Sequence, residues 1–191
     1  MNKTAYLSVY DKTGIVDLAR GLCDLGFEIY ASGSTFKLLK ESEVEAEEIR
    51  YSPPVPVSVL KALSGNKNAV SENGVEVPKP YVVAANLYPI ANIVGQEEFA
   101  IEELSGYLDQ ANAAVLRAAA RDFENIITLC RPGDYGVVLE SLKIAGGLEP
   151  ENKRRLAAKA WQYIAAYDAT VAHYLSETRD LLGEEVVMSL K

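Results

Sequence analysis

The chain has 191 residues, 49% of them hydrophobic, and a formal net charge of −8. That is enough to bury a full core in one domain, or in one domain with a tail, and no run approaches the ~20 apolar residues of a membrane span. The acidic balance and the lack of a basic run argue against nucleic acid as a partner, but not against a mononucleotide, whose one phosphate needs only a local nest and a lysine. The N-terminal stretch lacks the charged start, apolar core and cleavage site of a signal peptide. Cys23 and Cys130 are too few for a disulfide framework and lie in apolar elements, so both are expected to be small buried hydrophobes in a reducing cytoplasm.

Residues 5–9 are short, apolar and bounded, as a buried parallel strand should be. Ile15, Leu18, Ala19, Leu22 and Leu25 then recur at helical spacing, and Gly26 stands where a helix C-terminal glycine belongs. Residues 27–31 read as a second strand. Ser32-Gly33-Ser34-Thr35 follow, just before the helical run 36–40. A small, hydroxyl-rich turn at a helix start offers free N–H groups and the positive end of the dipole to an anion. It equally serves as a simple helix cap. Parallel sheets bind ligands beyond the carboxyl ends of their strands, so Lys12, in the turn after the first strand, is within reach of the same anion.

Residues 37–48 read as a helix grading into an acidic, solvated stretch. Pro53, Pro54 and Pro56 make 51–57 extended or looped. A short helical turn is expected at 59–63 and a polar loop, without a strong strand or helix, at 64–80. Residues 81–87 form a buried strand that Pro89 stops, with Tyr88 at its carboxyl end. Helices are predicted over 97–108, 111–120 and 136–145, a strand over 126–130, a turn over 132–135, and a long helix from about 149 to 175. His173, the single histidine, falls on that last helix and reads as surface or interface. The tyrosines, 11 in number, form no stripe in sequence, and no Cys/His cluster suggests zinc. The fold class is α/β: a mostly parallel central sheet with helices on both faces and right-handed crossovers.

Four stretches fall in a telling order: S-V-x-D-K-x-G from Ser8, A-S-G-x-T from Ala31, N-L-Y-P from Asn86, and L-R-A-A-A-R-D from Leu116. With R-R-L-A-A-K-A-W and A-A-Y-D near the end, they resemble the IMP cyclohydrolase domain of the bifunctional purine biosynthesis enzyme, of the methylglyoxal-synthase-like fold. The resemblance runs from about residue 4 to 176, leaving 177–191 as a tail. It implies closure of the ring of 5-formamidoimidazole-4-carboxamide ribonucleotide (FAICAR) to IMP with loss of water. It implies no metal or redox cofactor, a cytoplasmic location and a homodimer. The expected chain carries no formyltransferase domain, so a separate formyltransferase is a candidate partner.

Position by position, the resemblance assigns Ser8 and Lys12 to the site at the first strand end. Ser32, Gly33, Ser34 and Thr35 would hold the ribonucleotide phosphate. Asn86 and Tyr88 would face the base and the forming oxyanion, Asp109 would move a proton near the carboxamide, and Arg121 stands where the family has a lysine. Three departures bear on catalysis. The family's block G-R-V-K-T-L-H-P, then H-x-G-G, is missing, and the shorter segment 53–80 stands in its place, with Lys61 and Lys67 as its candidate cations. Gln110-Ala111-Asn112 follow Asp109 where the family has Ile-Gly-Gly, adding Cβ atoms where backbone should approach substrate. Arginine at 121 stays protonated and cannot exchange a proton near neutral pH. The alternative function is therefore a catalytically impaired purine-nucleotide-binding or regulatory module of the same fold.

Overall fold

The computed structural model describes residues 3–52, 55–65, 69–70, 74–94 and 104–177. In chain order the elements are β1 (Thr4–Ser8), α1 (Ile15–Asp24), β2 (Glu28–Ala31), α2 (Gly33–Glu41), β3 (Glu47–Glu48) and α3 (Val57–Leu63). Next come β4 (Ala69–Val70), β5 (Glu76–Val77), β6 (Val82–Ala85), α4 (Ala91–Val94), α5 (Leu104–Tyr107) and α6 (Gln110–Arg121). The chain continues through β7 (Ile127–Leu129), a 3₁₀ turn at Pro132–Asp134, α7 (Tyr135–Ala145) and α8 (Pro150–Glu177). One parallel sheet has the order β3-β2-β1-β6-β7. β4 and β5 form a separate antiparallel pair.

The period of two along each central strand divides the core. Ala5, Leu7, Val82 and Ala84 face one apolar layer, with α1 and α7 against it. Tyr6, Val83 and Ala85 face the other, with α3, α6 and α8. In α1 the buried residues Ile15, Leu18, Ala19 and Leu22 keep helical spacing, and no side chain caps the helix start. A missing cap costs about 1 kcal/mol, whereas burying each of the three large side chains contributes about 1.5–3 kcal/mol. Docking of the apolar face, rather than the cap, holds α1 in place. The long α8 buries Leu156, Ala157, Ala160 and Ile164, and it leaves Trp161 45% exposed.

The predicted helix over 37–48 is too long. α2 stops at Glu41, Glu43 takes a left-handed φ of 58°, and the Val44 amide turns back to the Leu39 carbonyl at 2.9 Å. That turn drives Val44 into the core and frees Glu47 and Glu48 to pair with Tyr30 and Ala31 as an edge strand. Acidic residues suit an exposed edge, where charge deters further pairing. The segment 64–80 holds a two-residue antiparallel pair rather than loop alone. Cys130 is buried as expected, but Cys23 is only half-buried. His173 is exposed. Of the helix expected over 97–108, residues 104–108 are described and 104–107 are helical; Pro53, Pro54, Lys67 and the tail from 178 lie outside the described residues. Among the described residues, no helix is long and apolar enough to cross a membrane.

Candidate functional site

The sheet order puts β1 at the centre, with β2 on one side and β6 on the other. The chain runs outward from β1 through β2 to β3 and then returns to β6 on the other side of β1, and this reversal opens a crevice at the carboxyl ends of the central strands. Ser8 ends β1, Ser32 follows β2 and Asn86 follows β6, so register alone brings three of the predicted residues to one edge. All three are buried.

The start of α2 supplies the anion-binding geometry. Gly33 has a φ of +56°, a conformation L side chains rarely adopt, and a Cβ there would meet open space. Gly33 and Ser34 are exposed. The first amides of α2 have no intrahelical carbonyl to bond. Ser32 occupies the cap position, yet its side chain makes no capping bond. Instead its hydroxyl donates to Ser8 Oγ at 3.0 Å and lies 3.0 Å from the Tyr6 hydroxyl. Thr35 differs from the expectation for it. Its Oγ1 accepts from the Val9 amide at 2.9 Å and donates to the Val9 carbonyl at 3.1 Å, so the side chain braces β1 and only the backbone faces the crevice. The Lys12 ammonium folds onto the carbonyls of Val9 and Tyr10, beside the same brace. Burial pulls the Lys12 pKa down, against a smaller upward push from Asp11.

Asn86 is a clamp. Its Oδ1 accepts from the Tyr10 and Asp11 amides at 2.6 and 2.8 Å, and its Nδ2 donates to the Asp11 carbonyl at 3.1 Å. These bonds tie the turn after β1 to the end of β6, and they take up most of the amide's capacity. Tyr88, predicted together with Asn86 to face the base, lies two residues further on. That ring meets Tyr10 edge-on at 4.6 Å between centroids and Tyr107 at 5.6 Å, making an aromatic wall. Desolvation, then the Tyr10 and Tyr107 phenols, raise the Tyr88 pKa.

Asp109 caps α6, with Oδ1 accepting from the Asn112 amide at 3.0 Å and Oδ2 from Asn112 Nδ2 at 3.1 Å. Asn112 Nδ2 also donates to the Asn86 carbonyl at 3.0 Å, which ties the cap to the clamp. Burial raises the Asp109 pKa; bonds from the Asn112 and Tyr88 amides pull it down by less. The carboxyl also acts electrostatically on Tyr6 and on half-buried Tyr51. The loops are held from behind by α8. The Leu87 amide donates to the Tyr163 hydroxyl at 3.0 Å, and the Asp109 amide to the Tyr167 hydroxyl at 2.9 Å.

Arg121 is not brought to this edge. It ends α6, eleven residues and ~17 Å of helix beyond its start. Its neighbour Asp122 pairs with Lys79 ahead of β6, at the sheet's other edge. Lys61 is exposed on the outer side of α3, whose inner side is Ser58, Val59, Ala62 and Leu63. Among the described residues, no lysine of the 55–80 segment enters the crevice. A cavity of about 660 Å³ lies elsewhere, between the end of α1 and the turn 43–47, and contains none of the predicted residues. Among the described residues, no three His, Cys, Asp or Glu side chains gather where they could hold a metal ion. Sequence reading missed Tyr6, Tyr51, Asn112, Tyr163 and Tyr167. Only Asn112 carried a signal, three residues after a helix-capping aspartate.

Two family profiles match the chain: the MGS-like domain over residues 14–104 and the AICARFT/IMPCHase bienzyme over residues 119–191. The bifunctional purine biosynthesis protein PurH of Bacillus cereus is 33% identical over 201 residues, covering 97% of this chain and 39% of that protein. PurH of Caldicellulosiruptor saccharolyticus is 30% identical over 194 residues, covering 94% of this chain and 38% of its own length. The chain thus spans about two fifths of the length of these curated relatives. Among solved structures, that of ForH is similar with a TM-score of 0.72 and 31% identity, over 92% of this chain and 100% of ForH.

Proposed function

The chain belongs to the AICARFT/IMPCHase family, on its MGS-like domain, and from that membership we propose that it is an IMP cyclohydrolase-like protein of purine biosynthesis that closes FAICAR to IMP. The observation that supports this reading is the gathering of Ser8, Ser32 and Asn86 at one end of the sheet, beside the Tyr10–Tyr88 pair and the half-buried Asp109 carboxyl, which accepts from the Tyr88 amide. The phosphate sits against the amides at the start of α2 and the Ser8 hydroxyl, with Lys12 alongside. The base lies along Tyr88 and Tyr10. Asp109 stands at the carboxamide.

In the proposed reaction the carboxamide nitrogen attacks the formyl carbon. One C–N bond forms and the formyl oxygen takes the negative charge. Tyr88, kept protonated by its raised pKa, donates to that oxygen. Asp109 accepts the proton that the attacking nitrogen sheds and returns it to the oxygen, giving a hydroxyl; the C–O bond then breaks as the former formamide nitrogen forms the ring C=N bond, and its N–H proton leaves with the hydroxyl as water. Both reacting groups belong to one molecule, so holding the formyl rotamer close to the nitrogen supplies a large part of the rate. Positioned proton transfer adds about 10²–10⁴-fold.

The position of Arg121 and the outward Lys61 favour a second reading, a nucleotide-binding module with weakened or lost turnover. The two readings part in one experiment. The purified chain is incubated with FAICAR and the ultraviolet rise of IMP is followed, alongside Asp109→Asn. The enzyme reading expects IMP from the wild type and a fall of about 10²–10⁴-fold in kcat for the variant. No IMP, with IMP itself still raising the melting temperature, supports the binding module and sinks the enzyme.

A further inference from the structure

Tyr6 is an odd residue for its place. It lies in the middle of the central strand, 1% exposed, on a face where Val83, Ala85, Ile49 and Val59 surround it and Tyr30 is its partner on β2. A phenylalanine would fill the same space without burying a hydroxyl, and an unsatisfied buried hydroxyl is costly. The hydroxyl lies 3.0 Å from Ser32 Oγ, and Ser8 also acts on it as a weaker hydrogen-bond partner. Ser32 in turn forgoes the cap that serine favours at a helix start and gives its proton to Ser8 Oγ at 3.0 Å.

Proton counting fixes the direction of this chain. Each hydroxyl has one proton to give. Ser32 gives its proton to Ser8, so the proton between Tyr6 and Ser32 is that of Tyr6. Ser8 accepts from Ser32, and its own proton, held weakly by the Tyr6 oxygen, can turn to an anion in the crevice. We propose that Tyr6 is a positioning residue: it heads a one-way donor chain, Tyr6 to Ser32 to Ser8, that presents the Ser8 proton to the anionic group of the ligand. Run in reverse, the chain would present a lone pair and repel an anion. Each bond in such a chain polarises the next, which makes the last donor stronger. Burial first of all, against opposing bonds from Ser32 and Ser8, pushes the Tyr6 pKa up to about 12, so the head of the chain stays a donor through neutral and mildly alkaline pH.

The proposal rests on reading the crevice as a phosphate seat, and the test separates the two. Binding of IMP, of inorganic phosphate and of inosine is measured by calorimetry for the wild type, Tyr6→Phe, Ser32→Ala, Ser8→Ala and the Tyr6→Phe/Ser8→Ala double variant. Tyr6→Phe and Ser32→Ala are each expected to weaken IMP and phosphate by about 3- to 10-fold, the worth of one hydrogen bond, and to leave inosine unchanged. On the Ser8→Ala background, Tyr6→Phe is expected to add nothing. Equal loss for IMP and inosine would mark Tyr6 as merely structural and overturn the proposal. So would wild-type phosphate affinity in both Tyr6→Phe and Ser32→Ala, while leaving the seat itself intact. Failure of the wild type to bind IMP or phosphate would remove the seat, and the relay with it.

Discussion

At the scale of single residues, Asp109 joins two tasks in one carboxyl. As a cap it holds the Asn112 amide, and as a half-buried acid its pKa stands above the ordinary value of 3.8. A raised carboxyl pKa means that the folded state favours the neutral form. That contribution is full below the unfolded pKa and is lost as pH rises through the folded value. Asparagine keeps the cap and never ionises. The melting temperature of Asp109→Asn is therefore expected to match wild type in acid and to overtake it as pH rises from about 4 towards neutrality. Scanning calorimetry across that range checks it; a variant that falls behind with rising pH would mean the native carboxylate is stabilised, not strained. Asn86 gives the complementary case. Asn86→Ala leaves the Tyr10 and Asp11 amides without their shared acceptor, and a loss of about 2–4 kcal/mol is expected in urea unfolding, from two amides at ~1–2 kcal/mol each.

At the scale of elements, α8 is what ties the site to the body of the protein. Its inner residues Leu156, Ala160 and Ile164 are buried against the sheet, and its tyrosines reach over the edge to the loops after β6 and before α6. Tyr163→Phe keeps the packing and removes the acceptor of the buried Leu87 amide. The expected cost is about 1–3 kcal/mol, which in a chain of this size lowers the melting temperature by about 2–10 °C. Amide hydrogen exchange gives the sharper reading: Leu87 should exchange faster in the variant while β1 amides do not. Uniform acceleration would mean that the whole fold has loosened and that the bond is not local.

At the scale of the whole molecule, the proposed function puts an anion seat in a chain of net charge −8. Its donors are mostly neutral amides and hydroxyls, with Lys12 the cation beside them. Added salt screens the repulsion between a phosphate and the acidic body. The dissociation constant for IMP is thus expected to stay level or fall between about 10 and 150 mM of a weakly coordinating salt; a several-fold rise would show that direct ion pairs dominate. The same global view explains what could be read from sequence. The central strands were legible because they are short apolar runs, and the α2 start because its small residues are contiguous. Tyr6, Tyr51 and Tyr163 were not, because they come from a distant strand, loop and helix and meet the site only after folding. Arg121 misled because a run continuous in sequence, from Asp109 to Arg121, is a helix whose two ends lie at opposite edges of the sheet.

The pair of hydroxyls on α8 sets a limit on which genetic changes the protein can absorb. Tyr163 and Tyr167 are one turn apart and hold two separate loops. Substitutions on the outer face, as at Trp161, leave that spacing alone. An extra codon between 163 and 167 would turn one tyrosine by ~100° relative to the other and shift it ~1.5 Å along the axis. Only one loop could then keep its anchor. Over these five positions, the reading frame's length is guarded more strictly than its spelling.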